Sequence, residues 1–283
     1  MALTKVSRLT KTLLTGASFL ARGGRVGTIR GRILMYHRVD EVHGDRLVVT
    51  PDHFRAQLEW LRRHQIRVVD LDTLVESLKH PDRANNQLAI TFDDGYEDNA
   101  RFAWPTLRSY RYPATIFVSV GLIGTETPIP AERPGATRAR LMTWAQVKAM
   151  ADDGIAIGSH GMTHQRLTRL APAAARAEIT ESKRVLEEQL GRPAEWFCYP
   201  SGSYSQDLVR TVQWAGYHGA CSVRPGANTT STHRFALRRT EISGDDTLAT
   251  FEQKLAGAYD GWHALVQTYQ RWQKHRARSG ASR

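Results

Sequence analysis

Short β-rich runs alternate with longer helical patterns from residue 33 onward, and this alternation constrains the fold more than any other feature of the sequence. Repeated strand–helix units predict a parallel sheet, because each helix returns the chain to the end of the sheet where the next strand begins. Seven or eight such units favour an α/β fold, a distorted (β/α)7-8 barrel in a single domain, with an open doubly wound sheet as the alternative. The predicted strands cover residues 33–37, 67–71, 88–92, 114–118, 155–159, 196–199, 219–223 and 235–242.

The segments between these runs show helical periodicity. Phe54, Leu58 and Leu61 recur at the spacing of one helix face, which predicts an amphipathic helix packed on the sheet. A longer helix is predicted from Pro172 to a stop at Gly191, because proline suits the first helical turn and glycine the position after the last. Further helices are predicted around residues 144–150 and after residues 98, 205 and 246.

Basic residues are concentrated at the two ends of the chain. The formal net charge is +11, yet residues 1–32 hold seven basic residues, residues 271–283 hold five, and neither segment contains an acid. The rest of the chain, with 27 basic and 28 acidic residues, is nearly neutral. We therefore predict a basic amphipathic N-terminal segment at 1–32, a barrel domain at 33–260 and a basic C-terminal tail at 261–283.

The N-terminal segment places Leu3, Val6 and Leu9 near helical spacing among lysines and arginines, which is typical of a helix lying on an anionic membrane surface. A degenerate signal peptide is the alternative. No zinc-finger, helix–turn–helix or aromatic RNA-binding motif accompanies the basic ends, so nucleic acid is not a predicted partner. No apolar run approaches the roughly 18 residues of a membrane span. A place at a membrane surface is favoured, with the cytoplasm as the alternative.

Two further features leave alternatives open. Cys198 and Cys221 lack the spacing of a disulfide framework or a metal site, so we interpret both as small buried residues, with one disulfide between neighbouring strands as the alternative. Residues 121–142 form a long stretch rich in glycine and proline that follows a predicted strand. Such a stretch is typical of a functional loop or of disorder.

Two adjacent carboxylates, Asp93 and Asp94, lie where a predicted strand ends against Gly95. The alternative to a catalytic role is that this acidic pair caps the next helix, although Asp98 and Asn99 are better placed for capping. Since successive side chains of a strand point to opposite faces, we predict that the two carboxylates have different roles.

Two histidines, His160 and His164, directly follow the predicted strand 155–159. One helical turn would bring both imidazoles to the same side, although this spacing also arises by chance on exposed helices. Two imidazoles and one carboxylate form a site with open coordination positions, which is typical of catalytic metals. We therefore predict a divalent metal at the C-terminal rim of the strands, with Zn expected and Co or Ni as alternatives. With Asp93 as base, a metal that activates water predicts hydrolysis of an amide or ester.

Hydrolysis of an amide also needs a proton donor for the departing amine. His37 ends the first predicted strand, on the same rim as Asp93 and His160 if the strands are parallel, and an imidazole titrates near neutrality. We predict His37 as this acid, with a structural histidine as the other interpretation and His233 and His218 as reserve candidates.

A third segment, residues 196–204, again runs from a strand into a turn at the rim. The backbone amides of Tyr199 or Ser201 are candidates for binding an oxyanion, and Tyr204 is a candidate for stacking on a sugar ring. An ordinary turn through Pro200 and Gly202 is the alternative.

Three ordered motifs resemble those of the polysaccharide deacetylase family, the family 4 carbohydrate esterases. These are Thr91-Phe92-Asp93-Asp94-Gly95, Ser159-His160-x-x-x-His164 and Tyr199-Pro200-Ser201-Gly202. The resemblance implies a distorted (β/α) barrel, a divalent metal that is usually zinc, and hydrolysis of N-acetyl or O-acetyl groups on polymers of acetylated sugars. It also implies that Asp93 is the base and that Asp94, His160 and His164 hold the metal.

The sequence departs from the family pattern in two places. Many members carry the acid histidine in a C-terminal Leu-x-x-Ile-x-x-His motif, which has no good match after residue 202. The opening motif that contains His37 instead resembles the branch with permuted motif order, which includes poly-N-acetylglucosamine deacetylases. Many members also place an arginine two residues before the motif-three proline, where this chain has Cys198, and Arg239 is the predicted substitute that orients the base.

The sequence therefore predicts a metal-dependent hydrolase that removes N-acetyl groups from a chitin- or poly-N-acetylglucosamine-like polysaccharide. An O-acetyl esterase or small-amide hydrolase on the same fold is one alternative. A carbohydrate-binding barrel without catalysis is the other, because of the missing motif-three arginine. The sequence does not indicate an oligomeric state.

Overall fold

The computed structural model describes residues 27–80, 85–125 and 139–260. The predicted N-terminal segment therefore lies almost wholly outside the described residues, as do the C-terminal tail and the middle of the 121–142 loop. In the described part of the chain, no helix has both the length and the apolar character that crossing a bilayer requires.

A parallel sheet forms the centre of the molecule. In chain order, the strands are β1 (Arg32–Tyr36), β2 (Arg38–Val39), β3 (Val48–Val49), β4 (Arg67–Val68), β5 (Gln87–Phe92), β6 (Thr115–Val118), β7 (Ala156–Ser159), β8 (Trp196–Cys198), β9 (Gly219–Cys221) and β10 (Thr240–Glu241). β2 and β3 pair with each other, and the remaining strands form the central sheet. The order across the sheet is β10-β1-β5-β6-β7-β8-β9, and β4 also pairs with β5. Leu88 pairs with both β1 and β4, and Thr91 with both β1 and β6, so β4 and β6 share one edge of β5.

The sheet curls so that its two ends approach each other. Cys221 of β9 forms a parallel bridge with Leu237, which lies three residues before β10 in the chain. β10 in turn pairs with β1 through Leu34 and Thr240. The prediction of a parallel α/β barrel-type fold in one domain is confirmed, in the form of a curled half-barrel whose end strands meet at a single bridge.

Helices connect the strands in the described ranges. They are α1 (Pro51–Arg63), α2 (Leu71–Ser77), α3 (Trp104–Tyr110), α4 (Trp144–Asp152), α5 (Pro172–Leu190), α6 (Gln206–Trp214) and α7 (Leu248–Leu255). The start of α4 is fixed by a capping box between Thr143 and Gln146. As predicted, α5 begins at Pro172 and ends before Gly191, which takes the left-handed conformation with φ 65°.

An aromatic cluster fixes α1 against the two strands that lead into the rim. The ring centroids of Tyr36 and Phe54 are 5.3 Å apart, those of Tyr36 and Phe92 5.3 Å, and those of Phe54 and Phe92 5.8 Å. All three rings are fully buried, and the Tyr36 hydroxyl donates to Gln57 at 2.9 Å. Each such aromatic pair contributes about 0.5–1.5 kcal/mol beyond the area it buries. The C-terminal ends of β1 and β5, from which the chain enters the rim, are therefore held in place by this cluster.

Two predicted elements were wrong in extent or kind. The predicted strand 235–242 begins in a 3₁₀ turn, Arg234–Ala236, continues through the isolated bridge at Leu237, and is strand only at Thr240–Glu241. The predicted cap at Asp98 does not form, because its carboxylate instead accepts from Arg38 Nε at 2.7 Å and from the Val39 amide at 3.2 Å. Leaving the buried Arg38 guanidinium without a counter-charge would cost more free energy than leaving the helix without a side-chain cap.

Candidate functional site

The two adjacent carboxylates lie in a left-handed turn at the end of β5. The Asp93 amide extends the pairing with β1 by donating to the Tyr36 carbonyl at 3.0 Å, and the chain then turns at Asp94 and Gly95, with φ 78° and 83°. Strand alternation therefore stops before Asp94, so it does not decide how the two side chains point. Their different partners, Arg239 for Asp93 and the two histidines for Asp94, are consistent with the different roles predicted for them. Both carboxylates are buried and both lie close to His160.

Asp94, His160 and His164 converge on one point. Asp94 Oδ1 lies 3.5 Å from His160 Nε2 and 3.2 Å from His164 Nε2. His160 Nδ1 bonds to the Cys198 carbonyl at 2.8 Å, which turns Nε2 towards Asp94. One carboxylate oxygen and two imidazole nitrogens within 4.8 Å of one another form a donor set that suits zinc and leaves coordination positions open. These three residues fit the predicted metal.

The segment that carries the two histidines is a loop, and the predicted helical turn was wrong. We call residues 160–164 the histidine loop. Gly161 has φ 78° and His164 has φ 57°, so neither is helical. The two rings nevertheless meet edge to face, with centroids 4.9 Å apart. The convergence predicted from their spacing is therefore present, but the loop backbone produces it.

Arg239 holds Asp93 with two parallel hydrogen bonds. Its Nη1 donates to Asp93 Oδ1 at 2.6 Å and its Nη2 to Oδ2 at 2.7 Å, while Nε is fixed by the Ser222 carbonyl at 2.9 Å. Burial would raise the pKa of the Asp93 carboxyl, but the charge and hydrogen bonds of Arg239 outweigh burial and lower that pKa below its usual range. Asp93 is therefore an oriented, ionised carboxylate.

Cys198 stands beside this ion pair. Its Sγ lies 3.0 Å from Arg239 Nη2 and 3.7 Å from each Asp93 oxygen, and Cys198 pairs in register with Cys221. Both thiols are buried and free, as the interpretation of small buried residues required. Burial raises the pKa of both thiols, that of Cys221 to about 12. Since only a thiolate binds a metal well, a donor set that includes Cys198 is less suitable than the one with Asp94.

His37 follows β1 at the same rim. The Asn99 side chain donates to its carbonyl at 2.9 Å, and its buried Nδ1 has no hydrogen-bond partner in the described part of the chain. The reserve candidates lie elsewhere. His218 is exposed at the opposite end of β9, near Asp72, and His233 caps the turn before the bridge to Cys221 by accepting from the Phe235 amide.

The third segment only partly matches its prediction. The Tyr199 amide donates to the Cys221 carbonyl at 3.1 Å, so the prediction that it binds an oxyanion was wrong, and Ser201 remains the amide candidate. The Tyr204 ring is stacked on Tyr199 with centroids 5.0 Å apart, and the Arg224 guanidinium carbon lies 4.8 Å from the same ring. Stacking of Tyr204 on a sugar would therefore require Arg224 to move.

The turn Pro200–Gly202 is closely packed against Val223, two residues after β9. Ser201 has φ 54° and Gly202 φ 64°. A Cβ on Gly202 would lie 2.2 Å from Val223 Cγ2, so this position requires glycine. The turn is a rigid rim element, and its packing explains the Pro-x-Gly pattern without a ligand.

One charged residue that contacts the histidine loop was not among those predicted from the sequence. Glu178 of α5 is buried and accepts from the Met162 and Thr163 amides. It lies on the stripe formed by the other buried residues of α5, which are Ala175, Ile179, Ser182 and Leu186. A lone carboxylate on an otherwise buried helix face was the signal that could have revealed it.

A curled parallel sheet with a buried polar cluster at its C-terminal rim is typical of (β/α)-barrel enzymes, whose active sites lie at that rim. Residues 80–220 match the family model described as polysaccharide deacetylase. The chain belongs to the polysaccharide deacetylase family, and it is a hydrolase of the class that acts on carbon–nitrogen bonds other than peptide bonds.

Individual relatives agree with this family. YxkH of Bacillus subtilis (strain 168), provisionally named a polysaccharide deacetylase, is 29% identical over 214 residues, which are 75% of this chain and 71% of that protein. The poly-beta-1,6-N-acetyl-D-glucosamine N-deacetylase of Staphylococcus aureus (strain MRSA252) is 23% identical over 224 residues, 76% of this chain and 73% of the relative.

Two solved structures share the fold. The Streptococcus pyogenes deacetylase PplD in complex with acetate superposes with a TM-score of 0.70 at 23% identity, covering 81% of this chain and 99% of that one. IcaB from Ammonifex degensii superposes with a TM-score of 0.68 at 22% identity, covering 83% and 99%.

Proposed function

We propose that this enzyme removes N-acetyl groups from a poly-N-acetylglucosamine-like polysaccharide in a metal-dependent reaction. The observation that carries the proposal is the convergence of Asp94, His160 and His164 beside Asp93 in its bidentate pair with Arg239. The named substrate of the Staphylococcus aureus relative supports the choice of polymer. For the location of this protein we propose the bacterial cell envelope or a membrane surface, because the substrate named for the Staphylococcus aureus relative is a polysaccharide.

Asp94, His160 and His164 would hold a divalent metal, which we expect to be Zn, with Co or Ni as substitutes. When bound, such a metal polarises the acetyl carbonyl and lowers the pKa of a nearby water.

The chain's own residues perform the proton transfers. Asp93 is ionised and fixed by Arg239, so it accepts a proton from water as the water oxygen attacks the acetyl carbon. The Ser201 amide is the backbone donor proposed for the developing oxyanion. His37 then donates a proton to the sugar nitrogen as the carbon–nitrogen bond breaks. The products are acetate and the free amine of the sugar.

Metal removal tests the proposed function directly. We expect purified protein to release acetate from β-1,6-linked N-acetylglucosamine oligomers, to lose this activity with a chelator, and to regain it with Zn, Co or Ni. Metal analysis of the same samples should give one ion per chain, because the three donors form one mononuclear site. Full activity in chelated, metal-free protein would contradict the proposal.

A panel of substrates separates the alternatives in the same assay. Acetate release from acetylated xylan alone would indicate an O-acetyl esterase, and release from small amides alone a small-amide hydrolase. Binding of the oligomers without any acetate release would indicate a non-catalytic carbohydrate-binding barrel.

His37→Ala should separate amide from ester hydrolysis. A general acid typically contributes about 10²–10⁴-fold, and an amine cannot leave without a proton, so acetate release from the oligomers should fall by that factor. Hydrolysis of p-nitrophenyl acetate should change little, because its leaving group needs no proton. The matched control is His218→Ala, whose exposed side chain lies at the far end of β9. Equal losses on both substrates would remove His37 as the acid.

A further inference from the structure

We propose that Glu178 is a positioning residue for the candidate metal centre, in which its carboxylate fixes the histidine loop so that the His164 imidazole reaches Asp94. The inference rests on the metal site of the proposed function but does not depend on which acetylated substrate is hydrolysed. It concerns a residue that would touch neither metal nor substrate.

The two histidines are anchored in different ways. His160 directly follows β7, where its amide donates to the Val118 carbonyl at 2.8 Å and its ring bonds to the Cys198 carbonyl at 2.8 Å. His164 lies four residues further along, and among the described residues its ring makes a polar contact with Asp94 alone. The position of the His164 ring therefore depends on the backbone of the histidine loop.

Glu178 binds the two residues that precede His164. Its Oε2 accepts from the Met162 amide at 2.7 Å and from the Thr163 amide at 3.0 Å, and its Oε1 accepts from Thr163 Oγ1 at 2.5 Å. Three donors converge on one carboxylate, so both oxygens are used. Bonds to charged groups in a buried place are stronger than neutral ones, because little water competes for the donors.

The opposite side of the loop is held by the turn after β6. The Val120 amide donates to the Gly161 carbonyl at 2.9 Å, and the Gly121 amide donates to the Met162 carbonyl at 2.9 Å. The loop is thus bound through its carbonyls on one side and through its amides, by Glu178, on the other. Loss of Glu178 would leave two inward amides unpaired, and the loop would have to rotate to reach other acceptors.

The backbone conformation of the loop also requires external support. His164 has φ 57°, a region that a non-glycine residue adopts at a cost unless its surroundings impose it. Gly161 has φ 78°, and a Cβ there would lie 3.1 Å from Glu178 Oε2. The glycine therefore permits the close approach of the carboxylate, and the carboxylate holds the strained conformation that follows.

Metal affinity measures this role without any need for catalysis. Full-length protein is prepared as Glu178→Ala, Glu178→Gln and the matched control Glu181→Ala, which removes an exposed carboxylate three residues along the same helix. The readouts are Zn affinity by competition with a chromogenic chelator, the visible spectrum of the Co-loaded protein, and the midpoint of urea unfolding of the metal-free protein. Glu178→Ala should weaken Zn binding by about 10–100-fold, the usual effect of removing a residue that orients metal ligands.

Graded variants keep the inference testable if Glu178→Ala fails to fold. Glu178→Gln retains one acceptor oxygen and should lose less affinity than Glu178→Ala, with an altered Co spectrum. Thr163→Val removes the hydroxyl bond to Oε1, together with an exposed bond that Gln165 donates to the same hydroxyl, and should weaken Zn binding a few-fold. Thr163→Ser keeps the hydroxyl and should bind Zn as the wild type does, and Gln165→Ala should show that the Gln165 bond contributes little. Wild-type affinity and an unchanged Co spectrum in folded Glu178 and Thr163 variants would overturn the inference, as would an equal loss in Glu181→Ala.

Acetate release is measured separately, so the two proposals fail in different ways. A wild-type protein that binds metal but releases no acetate, with affinity lost only in the Glu178 and Thr163 variants, supports this inference and overturns the proposed function. An active enzyme whose metal affinity is insensitive to Glu178 supports the proposed function and overturns this inference.

Discussion

Asp93→Asn is expected to reduce acetate release from N-acetylglucosamine oligomers by about 10²–10⁴-fold, the usual contribution of a general base. The amide has the shape of the carboxylate but cannot accept the proton of water at neutral pH. Its NH₂ group would also face the Nη donors of Arg239, so the side chain should lose its orientation. Because Asp94, His160 and His164 are unchanged, the variant should still bind one metal ion per chain.

A second carboxylate-to-amide change provides the control for this experiment. Asp70→Asn alters an exposed aspartate that caps α2, and asparagine caps helices equally well, so activity and stability should match the wild type. Steady-state kinetics together with metal analysis distinguishes loss of the base from loss of the metal. Normal turnover by Asp93→Asn would mean that another group accepts the proton.

Arg239→Ala should cause the largest loss of stability, about 3–5 kcal/mol in the free energy of unfolding. The guanidinium is completely buried and is bound by Asp93, Ser222 and Thr91. Its removal leaves the Asp93 carboxylate buried without a cation, and the side chain must then take up a proton or draw in water. Denaturation in urea, followed by circular dichroism, measures the change.

Neighbouring and paired variants show whether the charge is the cause. Arg238→Ala removes an exposed arginine one residue earlier and should change the free energy of unfolding by no more than about 0.5 kcal/mol. Arg239→Lys keeps the charge but cannot form both bonds to Asp93. Its loss in the free energy of unfolding should therefore lie between those of Arg238→Ala and Arg239→Ala. The double variant Asp93→Leu, Arg239→Leu should be more stable than Arg239→Ala, since no charge is left unpaired. A loss in Arg239→Ala no larger than that in Arg238→Ala would show that the pair does not stabilise the fold.

The sequence predicted those parts of the molecule that depend on local patterns. β5 and β7 are short, largely apolar segments that lead directly into Asp93 and His160, as is typical of strands in a buried parallel sheet. Since the carboxyl ends of parallel strands meet at one rim, the convergence of distant motifs followed from the topology. Arg239 could be assigned to Asp93 for the same reason, although the strand predicted around it is mostly absent.

Features that depend on neighbours across the sheet were not predictable in this way. The Tyr199 amide looked free until β9 supplied the Cys221 carbonyl as its acceptor. The histidine loop resembled a helical turn, because four-residue spacing does not reveal that Gly161 is left-handed. Asp98 was predicted as a helix cap, because nothing near it in the sequence indicates that its carboxylate pairs with the buried Arg38. In each case a partner from a distant segment overrode the local preference.

The single bridge between Cys221 and Leu237, which brings Arg239 to Asp93, has a consequence for how the protein is made. Asp93 leaves the ribosome long before Arg239, because 146 residues of chain separate them. Until β10 is translated, the nascent chain can bury this aspartate only in its protonated form or together with water, because its counter-charge is missing. The packing around Asp93 can therefore be completed only after Arg239 has left the ribosome.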